Sequence, residues 1–387
     1  MKILITTDCY LPTINGVVTS VLSLYNELKY LGHDVKVLTL KQSKHIELEN
    51  VYYLKSFGLD KVYPDARMIK SFGRNIINQI IEWSPDIIHS QSEVNTYYIA
   101  KKIAKKLSIP QVHTYHTIYE DYAHYIKGRK SFNKLIIRQI SKLIMNSNDL
   151  VIAPTSKVKD ILIDYKVSKP IKVVPTGVDF NNKDVITDNE KRLMRKMYSI
   201  PEDHFIMLFL GRLAQEKNVN ELIQFVHQMS NKKITLLIVG DGPQRPKLEE
   251  IVKIHKLENR IKFTGKVKPD NVHEYYQLAD LFISASTSET QGLTYFESLA
   301  CGTPALCRKD RCLDNVIMDH FNGFQYETFE DFEYYANLVL DNETKKSFMA
   351  KNALDYSREF SKEAFAIAME RLYLQVIRGK SIKRFAA

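Results

Sequence analysis

Cysteine is scarce in this 387-residue chain: Cys9, Cys301, Cys307 and Cys312 are all there is, and no two form a Cys-x-x-Cys pair. That argues against a disulfide framework and predicts reduced thiols in a cytosolic protein. Long apolar runs are missing too, since none approaches the ~18 residues of a membrane span. The start, Met1-Lys2-Ile3-Leu4-Ile5-Thr6-Thr7-Asp8, reads as a short strand stopped by an acid and not as a signal peptide. There is no low-complexity tract, no repeat of solenoid length and no complete Gly-x-Gly-x-x-Gly, which disfavours a dinucleotide cofactor. The histidines around His113 and His116 lack the helical His-x3-His spacing of a zinc site. What remains is a globular composition, 44% hydrophobic and 26% charged, long enough for two domains.

Charge is unevenly placed. Residues 1–180 carry 25 Lys and Arg against 16 Asp and Glu, a net +9; residues 181–387 carry 30 against 29, a net +1. A basic half points to an anionic partner, and a membrane leaflet is the leading one. Nucleic acid has no aromatic-basic motif behind it and is not expected as a partner. Solubility charge alone is the competing reading.

Apolar runs alternate with amphipathic helical patterns throughout, which predicts parallel sheets in an α/β architecture. The first half offers strands at Lys2–Thr6, Asp34–Thr39, Asp86–Ser90, Gln111–Thr114, Leu150–Ala153 and Lys172–Val174. The second offers Ile206–Leu210, Ile234–Val239, Ile261–Thr264, Leu281–Ser284 and Pro304–Cys307. A hinge is expected near Pro175-Thr176-Gly177-Val178-Asp179, where Pro and Gly break the pattern.

The most informative stretch runs from Glu289 to Glu297, Glu-Thr-Gln-Gly-Leu-Thr-Tyr-Phe-Glu, followed by Ala300-Cys301-Gly302-Thr303-Pro304. Gly292 falls between the carboxyl end of a buried strand and the start of a helix at Leu293. Unpaired N–H groups and the helix dipole make such a turn an anion site. Two carboxylates flanking a phosphate cradle suit a nucleotide-sugar, one holding sugar hydroxyls and the other the ribose. An acidic turn with Glu297 as a solvated helix residue is the alternative on spacing alone.

Glu-x7-Glu with its Ala-Cys-Gly-Thr-Pro run resembles the signature of retaining glycosyltransferases of the GT-B fold. The spelling Glu-Thr-Gln-Gly-Leu-Thr-Tyr is narrower and looks like the bacterial diacylglycerol glycosyltransferases, where most of the wider family has Glu-Gly-Phe-Gly. The resemblance implies two Rossmann-like domains facing a cleft, with the last helix returning to the first. The expected boundaries are residues 1–178 plus 361–387 for a membrane-facing acceptor domain and 179–360 for a nucleotide-sugar domain. It implies that Glu297 binds ribose, that Glu289 touches the transferred sugar, and that the backbone of Gly292, Leu293 and Thr294 holds the diphosphate.

Gly211-Arg212-Leu213-Ala214-Gln215-Glu216-Lys217 follows a strand and resembles the family's Gly-Arg-Leu-x-x-x-Lys. An Arg and a Lys at that spacing can converge on one diphosphate. Gly240, in Gly-Asp-Gly-Pro after the next strand, has a family counterpart lining the nucleotide site, and Phe263–Val267 is placed similarly. Asn15-Gly16 opens a helix after the first strand, where Gly16 permits close approach of donor phosphate or sugar. The family's active-site histidine falls at His116. The longer Thr-Tyr-His-Thr-x-Tyr-Glu-Asp-Tyr-x-His-Tyr from Thr114 again looks like the diacylglycerol enzymes.

Two stretches have the basic amphipathic pattern of an interfacial enzyme. In Arg129–Asn146, an apolar stripe of Phe132, Ile136, Ile140, Leu143 and Ile144 opposes a basic row of Lys130, Lys134, Arg138 and Lys142. In Ala66–Trp83, Ile69, Phe72, Ile76 and Ile80 oppose Arg67, Lys70 and Arg74. Ordinary core packing is the bland account of both. The expected function is transfer of a hexose, glucose first, from a UDP-sugar to diacylglycerol by a peripheral protein at the inner membrane face. No cofactor is expected to be tightly bound, and Mg²⁺ is expected at most to stimulate. A glycolipid, polyprenyl-linked or soluble acceptor is the alternative within the class; a GT-B nucleotide-sugar epimerase is the alternative outside it.

Overall fold

The computed structural model describes residues 1–13, 15–42, 46–58, 67–120, 130–179 and 184–385; for 130–132 and 383–385 only the helical backbone is described. The chain divides into two compact units, Met1–Gly177 with Lys362–Ala387, and Val178–Ser361.

The first unit holds β1 (Lys2–Thr6), β2 (Asp34–Leu40), β3 (Val51–Leu54), β4 (Ser56–Gly58), β5 (Arg67–Ile69), β6 (Ile87–Ser90), β7 (Gln111–Thr114), β8 (Leu150–Ala153) and β9 (Ile171–Val173). Seven of these form one sheet in the order β3-β2-β1-β6-β7-β8-β9, every pairing parallel. The other two make an antiparallel hairpin, β4 with β5. Alternation along β1 divides its side chains between two cores. Ile3 and Ile5 pack with Phe365, Met369 and Tyr373, whereas Leu4 packs with Ile88, Ile99 and Ile103. Phe365, Met369 and Tyr373 recur at four-residue spacing on the last helix, Lys362–Phe385, so one of its faces covers the first sheet. His33–Glu370 (2.8 Å) and Lys380–Asp149 (3.0 Å) tie the helix at two further points.

The second unit is a six-stranded parallel sheet of β10 (Phe205–Leu210), β11 (Ile234–Val239), β12 (Ile261–Gly265), β13 (Leu281–Ser284), β14 (Ala305–Arg308) and β15 (Gly323–Tyr326), in the order β12-β11-β10-β13-β14-β15. Both of its faces are covered: Met207 and Phe209 point into one core, Ile206 and Leu208 into the other. Near-continuous apolar strands follow from that double burial. Each unit is thus a Rossmann-like α/β layer structure, the two-domain plan of the GT-B fold.

The Ala66–Trp83 expectation needs correction. Arg67 and Ile69 belong to β5, Gly73 adopts a left-handed φ of 56°, and the helix begins only at Arg74. Arg67 and Lys70 are therefore not part of a helical basic face. Ala66 lies outside the described residues.

Candidate active site

In the second unit, the loops leaving the carboxyl ends of adjacent strands meet at one sheet edge, the usual ligand side of such sheets. β10 and β13 are neighbours, so the loop after Leu210 lies against the loop after Ser284. Lys217, at the end of a 3-10 turn Gln215–Lys217, donates to Oε1 of Glu289. Ser286 and Ser288 both donate to the carbonyl of Glu216 at 3.4 Å. Arg212 is exposed in the same loop as Lys217. Gly240, the residue after β11, backs directly onto that loop: a Cβ there would lie 1.9 Å from the carbonyl oxygen of Gly211. Only glycine permits that approach.

Gly292 is the second enforced glycine. Its φ is +73°, and a Cβ would stand 2.3 Å from the Tyr295 ring and 3.3 Å from Cγ of Glu289. It is the N-cap of the helix Leu293–Ala300 and offers no side chain to bond the first turn. The opening N–H groups of a helix have no partner within it, so Leu293 and Thr294 present donors and positive dipole beside Glu289. One turn on, Glu297 accepts a 2.9 Å hydrogen bond from the hydroxyl of Tyr276. Burial pushes the Tyr276 phenol well above its usual pKa, and the nearby Glu297 carboxylate adds to the rise. The Tyr276 carbonyl receives the Thr303 hydroxyl (2.6 Å), and the Thr303 carbonyl receives that of Ser298 (2.6 Å). The Gly-Thr-Pro run after the helix is therefore a bracket that sets Tyr276, and through it Glu297.

In the first unit, Asn15 caps the helix Gly16–Tyr30, its side chain accepting from Val18 N at 2.9 Å. Gly16 is exposed at that terminus. His116 stands two residues past β7 with its side chain partly exposed, and its Nε2 lies 2.6 Å from Oε1 of Gln91. Gln91 follows β6 directly and is 2% exposed. Close by, the buried Glu93 takes Nε2 of His113 at 3.2 Å and the hydroxyl of Tyr119 at 2.5 Å. Burial drives His116 down to about 4; Glu93 opposes that shift and His113 adds to it. The stretch Asp121–Tyr125 of the longer motif lies outside the described residues.

Sequence reasoning overlooked Gln91, Glu93, Tyr276 and Asp8. Asp8 is more than a strand stop: it accepts four hydrogen bonds (2.7–3.0 Å) from the backbone and side chains of Asn95 and Thr96 and so caps the helix Asn95–Leu107. The signal for Gln91 and Glu93 was visible, because Ser90-Gln91-Ser92-Glu93 is a polar run at the carboxyl end of a fully buried strand.

Along the helix Lys130–Asn146 both the apolar stripe and the basic row divide between inner and outer faces. Asn133, Ser141 and Met145 face inward, and Met145 joins a core with Tyr115, Val158 and Leu162. The expected stripe divides: Ile136 is 41% exposed, Ile140 50% and Leu143 70%, joined by Leu135 at 54%, whereas Ile144 packs against the Met145 core and the side chain of Phe132 lies outside the described residues. Arg138 turns back onto the protein, pairing with Glu120 and, at 3.1 Å, with Asp164. Lys134 and Lys142 are half-buried at the flanks. Arg129 and the side chain of Lys130 lie outside the described residues.

Comparison with known proteins fits this geometry. Residues 190–356 match the family described as glycosyl transferases group 1, and residues 14–182 match glycosyltransferase family 4. The chain is 32% identical to an α-monoglucosyldiacylglycerol synthase of Streptococcus pneumoniae, over 99% of this chain and 88% of that protein. It is 30% identical to the enzyme of the same name from Acholeplasma laidlawii, over 97% and 98%. Among solved structures, HepE of Anabaena in complex with UDP and glucose superposes with a TM-score of 0.76 at 18% identity, covering 96% of this chain and 99% of that one. The chain belongs to the group 1 glycosyltransferases of GT-B fold that include these synthases, and it is a hexosyltransferase.

Proposed function

We propose that this enzyme transfers glucose from UDP-glucose to diacylglycerol with retention of configuration, giving an α-glucosyl diacylglycerol. The full-length likeness to two α-monoglucosyldiacylglycerol synthases carries the reading, and the site supports it chemically. In this reading Glu297, set by Tyr276, holds the ribose hydroxyls. The diphosphate lies on the N–H groups of Leu293 and Thr294, with Arg212 and Lys217 neutralising the charge that grows as the glycosidic bond breaks. The leaving phosphate oxygen takes the proton of the acceptor hydroxyl as that hydroxyl attacks from the same face. Glu289, already engaged by Lys217, orients a sugar hydroxyl and does not attack the anomeric carbon. Gly240 and Gly16 let backbone approach the donor closely, and His116 contacts the transferred sugar.

The acceptor is a membrane lipid, so the reading places the protein at the cytoplasmic face of a membrane. Among the described residues no helix is long and apolar enough to cross one. The exposed row Leu135, Ile136, Ile140 and Leu143, flanked by Lys134 and Lys142, suits an interfacial helix that lays an apolar face into an anionic leaflet. A panel of UDP-sugars with diacylglycerol liposomes tests the assignment. UDP release should require both UDP-glucose and diacylglycerol. Equal release with a soluble acceptor, or nucleotide-sugar conversion without any acceptor, would overturn it.

A further inference from the structure

The polar row behind His116 runs deeper than one histidine needs. Gln91 is fixed by its own N–H on the carbonyl of Thr6 (2.8 Å), and its side chain lies between two imidazoles. Its Oε1 is 2.6 Å from Nε2 of His116, and its Nε2 is 3.2 Å from both ring nitrogens of His89. His89, completely buried, is held by Tyr373 (2.6 Å to Nδ1) and Thr114 (2.7 Å to Nε2). Tyr373 belongs to the last helix, so the row reaches from the carboxyl edge of the sheet to the chain's final element. A carboxamide oxygen has lone pairs only, so the ring nitrogen facing it must carry the proton. Among the described residues no group is hydrogen-bonded to Nδ1 of His116.

We propose that Gln91 is a positioning residue that holds His116 as the Nε2–H tautomer, leaving the Nδ1 lone pair to accept a hydrogen bond from a hydroxyl of the bound sugar. The inference rests on the reading of His116 as a sugar contact and assigns it a direction. A lone pair and an N–H select opposite orientations of one hydroxyl, so the tautomer is a property on which binding geometry depends. The groups facing the ring are Gln91 and Glu93 beyond β6, His113 on β7, and His89 behind Gln91. Glu93 already takes His113 and Tyr119, and burial keeps His89 well below its usual pKa. With His116 itself down to about 4, the ring is neutral across the ordinary working range.

The test uses full-length protein labelled with ¹⁵N-histidine, with the His116 signals assigned from H116Q. Wild type should show a protonated Nε2 and a bare Nδ1. Q91L should mix the tautomers and lower kcat about tenfold or more, while UDP affinity by calorimetry and KM for UDP-glucose stay within about twofold. Q91E keeps the acceptor but places a negative charge beside the ring. His116 should then titrate higher, and transfer should fall about tenfold between about pH 8 and pH 5.5, where the wild-type ring does not change. Wild-type Nδ1–H, or a His116 titration in Q91E identical to that of wild type, overturns the proposal. A loss of kcat, UDP affinity and melting temperature together in Q91L would also overturn it, since that pattern belongs to a merely structural role. If the tautomer is as stated but both variants transfer normally, the clamp stands and the sugar-contact reading of His116 fails.

Discussion

Lys217 and Glu289, 72 residues apart in sequence, are joined through the ammonium of one and the carboxylate of the other. Two residues assigned separately, one to the diphosphate and one to the sugar, thus form a single unit. Their side chains are 25% and 15% exposed, so the pair is screened less than a surface bridge. Losing one partner removes a compensating charge beside the anion site. Lys217→Ala should therefore weaken UDP binding through the unmasked Glu289 carboxylate as well as lower turnover. Glu289→Gln should spare UDP affinity and cut transfer. A double-mutant cycle on the pair, read by calorimetry with UDP, should give a coupling of about 1 kcal/mol or more. Strict additivity would mean the contact has no bearing on the donor.

Turnover should depend most on the two cations. Arg212→Ala and Lys217→Ala should each cost on the order of 2–4 kcal/mol of transition-state stabilisation, because negative charge on the diphosphate peaks as the bond breaks. Near-native kcat in the double mutant would remove this loop from the mechanism.

Nucleotide binding should depend on Glu297 and, more weakly, on Tyr276. Glu297→Ala deletes the carboxylate assigned to ribose, and UDP affinity should fall. Tyr276→Phe removes one hydrogen bond to that carboxylate inside the core and should cost about 1 kcal/mol in UDP binding. Tyr276→Phe binding UDP as wild type does would leave the phenol with a packing role only.

The legible part of this molecule was its periodicity and its spacing. Every long buried strand of the two sheets announced itself as an apolar run, and Gly292 between Leu281–Ser284 and Leu293–Ala300 marked the turn that carries the donor motif. Four strands escaped that signal: β4 and β5 are partly exposed segments of three residues with no apolar run, and in β3 and β15 tyrosine, glycine or glutamine interrupts it. The helix Lys130–Asn146 shows a different limit. Apolar residues occupy both its inner and outer faces, so periodicity alone does not say which stripe is buried. Tertiary contacts decide it, including the 3.2 Å bond between the hydroxyls of Tyr115 and Ser141. The row of Gln91, His89 and Tyr373 spans 284 positions and left no local signature.

Stability should decline in mild acid. Burial lowers His89 well below its usual pKa and His116 to about 4, so both are neutral in the folded protein. The unfolded chain binds protons at these sites near pH 6.5, and the folded one does so only below that. A depressed histidine pKa therefore contributes stability that is full above about pH 6.5 and shrinks as pH falls towards 4. The melting temperature should drop across that window, with a shallower slope for H116Q. An unchanged slope in H116Q would show that His116 is not held neutral by the fold.

Membrane binding should depend on the exposed apolar row more than on the lysines. Burying the face of Leu135, Ile136, Ile140 and Leu143 in the headgroup region supplies hydrophobic energy that salt does not screen. Lys134 and Lys142 add about 1 kcal/mol each near an anionic leaflet, an attraction that fades beyond a Debye length of about 8–10 Å. Arg138 should add little, because Glu120 and Asp164 already neutralise it. Ile140→Ser with Leu143→Ser should therefore release the protein from anionic liposomes at any salt concentration. Reversing Lys130, Lys134 and Lys142 to Glu should release it mainly at low salt. The helix Lys130–Asn146 carries none of the groups assigned to the donor, so UDP affinity should be unchanged in both variants. Sedimentation with liposomes at low and high salt separates the two contributions. Equal pelleting of wild type and the serine pair would mean that another surface carries the enzyme to its lipid.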